Sequence, residues 1–217
     1  VYGYDHSIDA LPINNIYKSP SPDFLYVHSH SQKNIYTKFL KWPKKKVISI
    51  PSLRFLKKNK KFFDQKIFLP YNILSKNELI KNFEIFLNCL SPKKIKPFDV
   101  RIHPIQKNSK KHNLFKEEIN DLIKSYNNIF STTSKHSYSV FFGATSSVIE
   151  ALENGSNVIH IVDNATFETY SSKLWPSINV NMINKNIFRY TLKTKNKCIT
   201  FGNRQRNFNL PNFLPKV

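Results

Sequence analysis

The chain is poor in glycine, arginine and cysteine. Four glycines in 217 residues leave little room for a Gly-rich phosphate loop, and the GxxxxGK[ST] pattern is absent. The two cysteines, Cys89 and Cys198, stand alone with no CxxC or Cys/His ligand spacing. A zinc site is therefore not expected, and unpaired thiols in a reducing cytoplasm are. No run of about 18 apolar residues is present to span a membrane as a helix. The start, Val1-Tyr2-Gly3-Tyr4-Asp5-His6, has no basic segment leading into an apolar one, so no signal peptide is expected. The first residue is valine rather than methionine, and the expectation is a piece of a longer protein. There is no DxD motif, no internal repeat, and no RRM, KH or helix-turn-helix signature.

Charge of one sign is abundant. Lys and Arg number 34 against 14 Asp and Glu, a formal net charge of +20. Of those cations 29 are Lys and only 5 are Arg, while Asn (25) and Ile (23) are also frequent. These residues share A/T-rich codons, so composition accounts for much of the charge. Arg, the side chain suited to bidentate contacts with phosphate and guanine, is scarce. The net charge still attracts polyanions and anionic membrane surfaces at long range. At 40% hydrophobic and 14% aromatic residues, the chain has the material for a packed core.

Short apolar runs alternate with helical spacing. Strands are expected at Phe24–His28, Lys46–Ile50, Lys66–Leu69, Phe98–Ile102, Ile129–Ser131, Ser139–Phe142 and Val158–Val162. Helices are expected at Gln32–Leu40, after a Ser75-Lys76-Asn77-Glu78 capping box, at Phe115–Tyr126 and at Ser146–Glu153. Asn154-Gly155 is the stop of the last of these. This order implies an α/β fold with a Rossmann-like parallel sheet and helices on both faces. The Lys-rich stretch Phe55–Lys61 is the candidate linker. Residues 1–56 then form the remnant of an amino-terminal domain, and 57–217 a second domain ending in an irregular tail over Asn207–Val217.

Two places carry chemistry. Arg101-Ile102-His103-Pro104 closes an expected strand, where ligands of open α/β sheets bind. Pro104 biases His103 toward an extended backbone, which lets the imidazole point into the crevice and donate to a phosphate. The plainer alternative is a histidine that only satisfies a backbone carbonyl. The second place is Gly143-Ala144-Thr145-Ser146-Ser147, a turn from an apolar strand into a helix, with Glu150 one turn on. Hydroxyls and free amides there suit an anion. The plainer alternative is a Ser146 N-cap with Glu150 as its capping-box partner. His28-Ser29-His30 offers two imidazoles on one strand face but no third ligand, and reads as a loop.

A strand ending in His-Pro, followed by a strand, a turn and a Ser-Ser helix start, resembles the carboxyl-terminal half of bacterial GT-B glycosyltransferases. The nearest likeness is to sialyltransferases and polysialyltransferases that use CMP-activated sugars. Thr145–Ile159 and Val47–Phe55 also look like GT-B segments, and the likeness covers about Asp23–Val162. It implies a metal-independent inverting transferase of surface-polysaccharide biosynthesis, cytoplasmic or peripheral at the inner membrane face. Its partners would be a nucleotide-sugar donor and a glycan acceptor, with no cofactor and no specific nucleic acid.

By the same resemblance, His103 holds the donor phosphate and assists departure of CMP. Arg101, Pro104, Gly143, Thr145, Ser146 and Ser147 bind the donor, and Glu150 touches its ribose. The family's general base belongs to an acidic motif ending in Gly in the amino-terminal half, and no such motif occurs here. Asp5, His6 and Asp9 form the acid/imidazole cluster near the start, on the acceptor side or as plain surface. Without the upstream base, these 217 residues alone are not expected to be active. The rival readings are a UDP- or GDP-sugar enzyme, including a UDP-N-acetylglucosamine 2-epimerase-like protein, and a non-catalytic basic module that binds nucleic acid or anionic glycan.

Overall fold

Val140, Phe141 and Phe142 occupy successive positions of one strand, and all three are fully buried. Alternate residues of a strand face opposite sides, so such a run needs a core on each face of its sheet. The computed structural model, which describes residues 1–56, 60–90, 95–134, 137–195 and 197–202, shows both cores. Phe141 packs into one of them, and Val140 and Phe142 into the other.

The described strands form two sheets. Strands β1 (Tyr2–Tyr4), β2 (Phe24–Val27) and β3 (Val47–Ser49) pair in parallel in that order, with helix α1 (His30–Phe39) between the last two. Helix α2 (Lys60–Phe63) leads into the second sheet. It comprises β4 (Lys66–Phe68), β5 (Asp99–Arg101), β6 (Ser139–Phe142), β7 (Val158–Ile161), β8 (Ile178–Asn184) and β9 (Ile187–Leu192), in the order β5-β4-β6-β7-β9-β8. The first four of that order are parallel, and β9 and β8 add an antiparallel edge. Helices α3 (Lys76–Asn88), α4 (Lys110–Ser125), α5 (Ser147–Glu153) and α6 (Ala165–Glu168) connect them.

The mixed α/β architecture rich in parallel pairs follows the sequence pattern, with four departures. Three strands precede the expected linker rather than two; Tyr2-Gly3-Tyr4 is too short and too mixed to read as an apolar run. Ile129–Ser131 is not a strand: a 3-10 turn covers Asn127–Ile129, and one bridge joins Phe130 to Ile95. After Lys173 the pattern fades, yet β8 and β9 follow. Edge strand β8 carries Asn at 179, 181 and 184 on largely exposed positions, which dilutes its apolar signal. At α3 the Ser75 side chain caps nothing, although the residue does sit at the N-cap. Its backbone N–H lies toward the Asp163 carboxylate, whose pKa burial raises. The expected tail, Asn207–Val217, lies outside the described residues, as does the centre of the Lys-rich linker, whose first residue, Phe55, is buried in the core.

Helices α3 and α5 lie on opposite faces of the second sheet. Leu79 and Phe83 of α3 join the core that holds Phe142, whereas Val148 and Leu152 of α5 join the one that holds Phe141. That second core continues into the first sheet through Val27, Ile35 and Val47. Directed bonds tie the two sheets together. Ser52 N–H donates to Thr200 O (2.8 Å), and Thr200 N–H to His28 O (3.0 Å). At Gly202 any Cβ would lie 2.1 Å from the Ser52 carbonyl oxygen, so only glycine permits this approach. Glu153, 2% exposed, anchors the returning segment: its Oε1 accepts the N–H groups of Lys197 (2.9 Å), Cys198 (2.7 Å) and Ile199 (3.4 Å).

Replacing Glu153 by Ala strands those buried amides and is expected to cost about 2–3 kcal/mol in equilibrium urea unfolding. Glu153→Gln keeps an acceptor oxygen and should cost less than half of that.

Candidate functional site

Strands β4 and β6 are neighbours, yet the chain leaves β4 toward α3 on one face and β6 toward α5 on the other. Between two such strands the connections diverge and open a crevice at their carboxyl ends, a topological switch point. A cleft of two adjoining lobes lies there. One lobe, about 400 Å³, is lined by Asp9, Arg54, Tyr71, His103, Ser146 and Glu168 among others. The second, about 610 Å³, is lined by Lys66, Arg101, Pro104, Lys107 and Glu150 among others. Phe68, Leu69, His103, Thr145 and Ser147 line both.

His103 is extended (ψ 134°) and caps the short 3-10 turn Pro104–Gln106. Its Nδ1 accepts the Ile105 N–H over a long 3.4 Å. In the neutral ring this leaves Nε2 as the donor. The Tyr71 ring stands edge-on to the imidazole, centroids 5.3 Å apart. His103 thus does not serve a backbone carbonyl through Nδ1, and the ring sits in the cleft wall. Arg101, in the outer lobe, pairs with Asp99 at 2.6 Å, both side chains about half exposed.

The turn after β6 is held from below. Gly143 has φ +65°, and a Cβ there would come within 3.2 Å of the Pro70 ring. Its N–H donates to Ile161 O (2.8 Å), and its carbonyl accepts from His160 Nε2 (2.7 Å). Gly143 is therefore a structural residue of the turn: both of its backbone groups are bonded within the fold, and it is not among the residues that line the two lobes. Thr145 Oγ1 accepts the Ser147 N–H (3.2 Å), so the cap comes from Thr145. Ser146 makes no side-chain cap, which leaves its hydroxyl to the cleft it lines. Glu150 is half-buried. Burial raises its pKa, and the positive charge of Arg54 opposes that rise.

The three residues near the start divide. Asp5 accepts bonds from Tyr36 Oη, Gln32 Nε2 and Ser7 N, and lines a separate cavity beside Trp42. Burial raises its pKa, with the Tyr36 bond opposing. His6 is exposed, and its carbonyl accepts from Arg54 Nη1 (3.0 Å). The structure brings neither Asp5 nor the His6 ring into the cleft. Asp9 does line it, with Ser7 Oγ donating to its Oδ2 at 3.0 Å.

Spacing along the chain carries no sign of Arg54, Tyr71, Glu168, His160 or Tyr170. Arg54 projects from a loop fixed by Ser52, whose hydroxyl accepts the N–H groups of Arg54 (3.1 Å) and Phe55 (2.8 Å) and lies 2.9 Å from His28 Nδ1. His28 is thus a buried support of that loop, and no group of three or more metal-ligating side chains exists among the described residues. The Tyr170 hydroxyl donates to Ile8 O (2.8 Å) and sits 3.1 Å from Thr145 O, which joins the Asp9 segment to the hydroxyl-bearing turn. The carboxylate of Glu168 accepts the Asp163 N–H (3.0 Å), and burial raises its pKa.

No family model matches the chain, and neither a curated protein nor a solved structure matches it. Its functional reading therefore rests on the cleft.

Burial pushes both His28 and His160 from the ordinary 6.5 down to about 4. The unfolded chain takes up these protons near pH 6.5 and the folded one only near pH 4. Stability should therefore be full above pH 6.5 and fall as the pH drops toward 4, by on the order of 3 kcal/mol per imidazole. Urea titrations across pH 4–7 check this. His160→Gln and His28→Asn should each remove that histidine's share of the slope.

Proposed function

We propose that this chain carries the donor site of a GT-B-like glycosyltransferase. It transfers a sialic acid- or Kdo-like sugar from a CMP-sugar to a growing surface polysaccharide, with the proton of the acceptor hydroxyl taken up within the same cleft. The observation that carries the reading is the meeting of His103, Ser146 and Arg54 in one cavity at the switch point. A hydrogen-bond donor, a hydroxyl and a fixed cation drawn from three separate segments suit a phosphate ester.

In the proposed step an acceptor hydroxyl oxygen attacks the anomeric carbon. The new C–O bond forms as the bond from that carbon to the phosphate oxygen breaks, and CMP departs with the electron pair. The Nε2–H of His103, the Ser146 hydroxyl and the Arg54 guanidinium meet the charge that develops on the phosphate. Asp9, which lines the same cavity, accepts the hydroxyl proton. Glu150 and Glu168 flank the donor and suit the hydroxyls of its ribose or sugar.

Calorimetric titration with CMP tests this. Binding is expected, and His103→Ala, Ser146→Ala and Arg54→Met should each weaken it about 10-fold or more, as for bonds to a charged group. Absence of CMP binding, or binding indifferent to all three changes, removes the reading. Tighter binding of UDP than of CMP would point to a UDP-sugar enzyme instead.

A further inference from the structure

At the rim of the cleft the structure leaves large apolar side chains in solvent. Leu74 is 76% exposed and Ile105 is 74% exposed, and Tyr71 and Leu114 are each 47% exposed. They come from three segments that the fold draws together. Tyr71 stands edge-on to His103, two residues from Ile105. Lys111 Nζ donates to Ile73 O (2.7 Å), and His112 Nε2 lies 3.1 Å from Pro70 O. The loop after β4 is thereby fastened to the first turn of α4, with the Pro104–Gln106 turn alongside.

Along these segments the charge has one sign, although the Asp163 carboxylate lies near the Ser75 backbone, next to Leu74. Residues 102–116 contain Lys107, Lys110, Lys111 and Lys116 and no acidic residue, and residues 70–77 add Lys76 and again no acid. Lys107, Lys110 and Lys111 are exposed. The nearest carboxylates along the chain are Glu78, Asp99, Glu117 and Glu118; Asp99 is engaged by Arg101 and Glu118 by Lys76, each at 2.6 Å. A water-exposed leucine and isoleucine on lysine-rich segments are poorly matched to solvent. They match an interface that offers hydrocarbon at one depth and negative charge above it.

We propose that the surface formed by Leu74, Ile105, Lys107, Lys110 and Lys111 docks the protein on an anionic phospholipid bilayer, with the two aliphatic side chains entering the headgroup layer and the lysines meeting lipid phosphates. The cleft then opens beside the membrane. This surface does not depend on the transferase reading: of its residues only Lys107 also lines the cleft, and docking is read without any donor.

Vesicle co-sedimentation tests it, with phosphatidylglycerol/phosphatidylcholine mixtures against pure phosphatidylcholine. The protein should partition onto the anionic vesicles and not onto the neutral ones. Leu74→Ser combined with Ile105→Ser should lower the partition about fivefold or more. Lys107→Glu with Lys110→Glu should lower it at least about tenfold. A control of equal charge change elsewhere, Lys38→Glu with Lys45→Glu, should change it less than about threefold. All six positions are at the surface, and unchanged circular dichroism and thermal melting confirm that each variant is folded. The proposal is overturned if the wild-type chain ignores anionic vesicles, if the control loses as much as the lysine pair, or if the aliphatic pair has no effect. Heparin binding lost in the lysine variants, with no vesicle binding in the wild type, would identify an acidic polymer and overturn it as well.

Discussion

A buried imidazole holds the turn on which the cleft depends. The backbone N–H of Tyr170 donates to Tyr190 Oη (3.2 Å), and that hydroxyl lies 3.5 Å from His160 Nδ1. His160 Nε2 in turn reaches the Gly143 carbonyl at 2.7 Å. With Nδ1 facing a hydroxyl and Nε2 facing a carbonyl, the neutral ring has one consistent tautomer, protonated at Nε2. Burial keeps the ring in that neutral form at ordinary pH. A carbonyl left without its donor at this depth would be costly, so the positive-φ geometry of Gly143 and the direction of Thr145–Ser147 are set together.

The same region explains how the first sheet reaches the second. Tyr170 meets both the Ile8 carbonyl and the Thr145 carbonyl, and the indole N–H of Trp175 points to the Ala10 carbonyl (3.4 Å). Asp9 lies between Ile8 and Ala10 in the chain, and this is why an exposed carboxylate near the start lines the same cavity as a serine some 140 positions away. The Ser52–His28 contact supports the loop that presents Arg54 to the same cavity. Among the described residues, this one guanidinium out of the chain's 34 basic side chains enters the inner lobe, so the net charge of +20 says little about the site itself. Much of the remaining charge is lysine on the surface, where its arrangement around exposed aliphatic groups matters more than its sum.

Local chemistry was legible where a single segment carries it. The unbroken burial of Ser139–Phe142 and Val158–Ile161, the helical spacing of Leu79, Phe83 and Phe86, and the stop at Asn154-Gly155 all come from neighbours in the chain. The His-Pro strand end was legible for the same reason, since proline restricts the residue before it whatever the surroundings. Edge strand β8 was not, because its polar positions face water and leave little pattern to read. The capping box expected at Ser75 does not form, and of the two readings of Ser146 the plain N-cap is the one the hydrogen bonds do not bear out, since Thr145 Oγ1 meets the Ser147 N–H.

By itself the sequence determined the alternation of strands and helices, the places where strands stop, and the residue types offered at two of those ends. These depend on periodicity, φ restriction and capping, which act over a few residues. Only the tertiary structure decided the order β5-β4-β6-β7 that turns the ends of β4 and β6 into a crevice. It alone added Arg54 and Asp9 to that crevice, withheld Asp5 and Gly143 from it, and gathered Leu74, Ile105 and the lysines beside it. Strand order and side-chain convergence follow from how two cores pack on opposite faces of one sheet, and that packing joins residues too far apart in the chain for any local pattern to record.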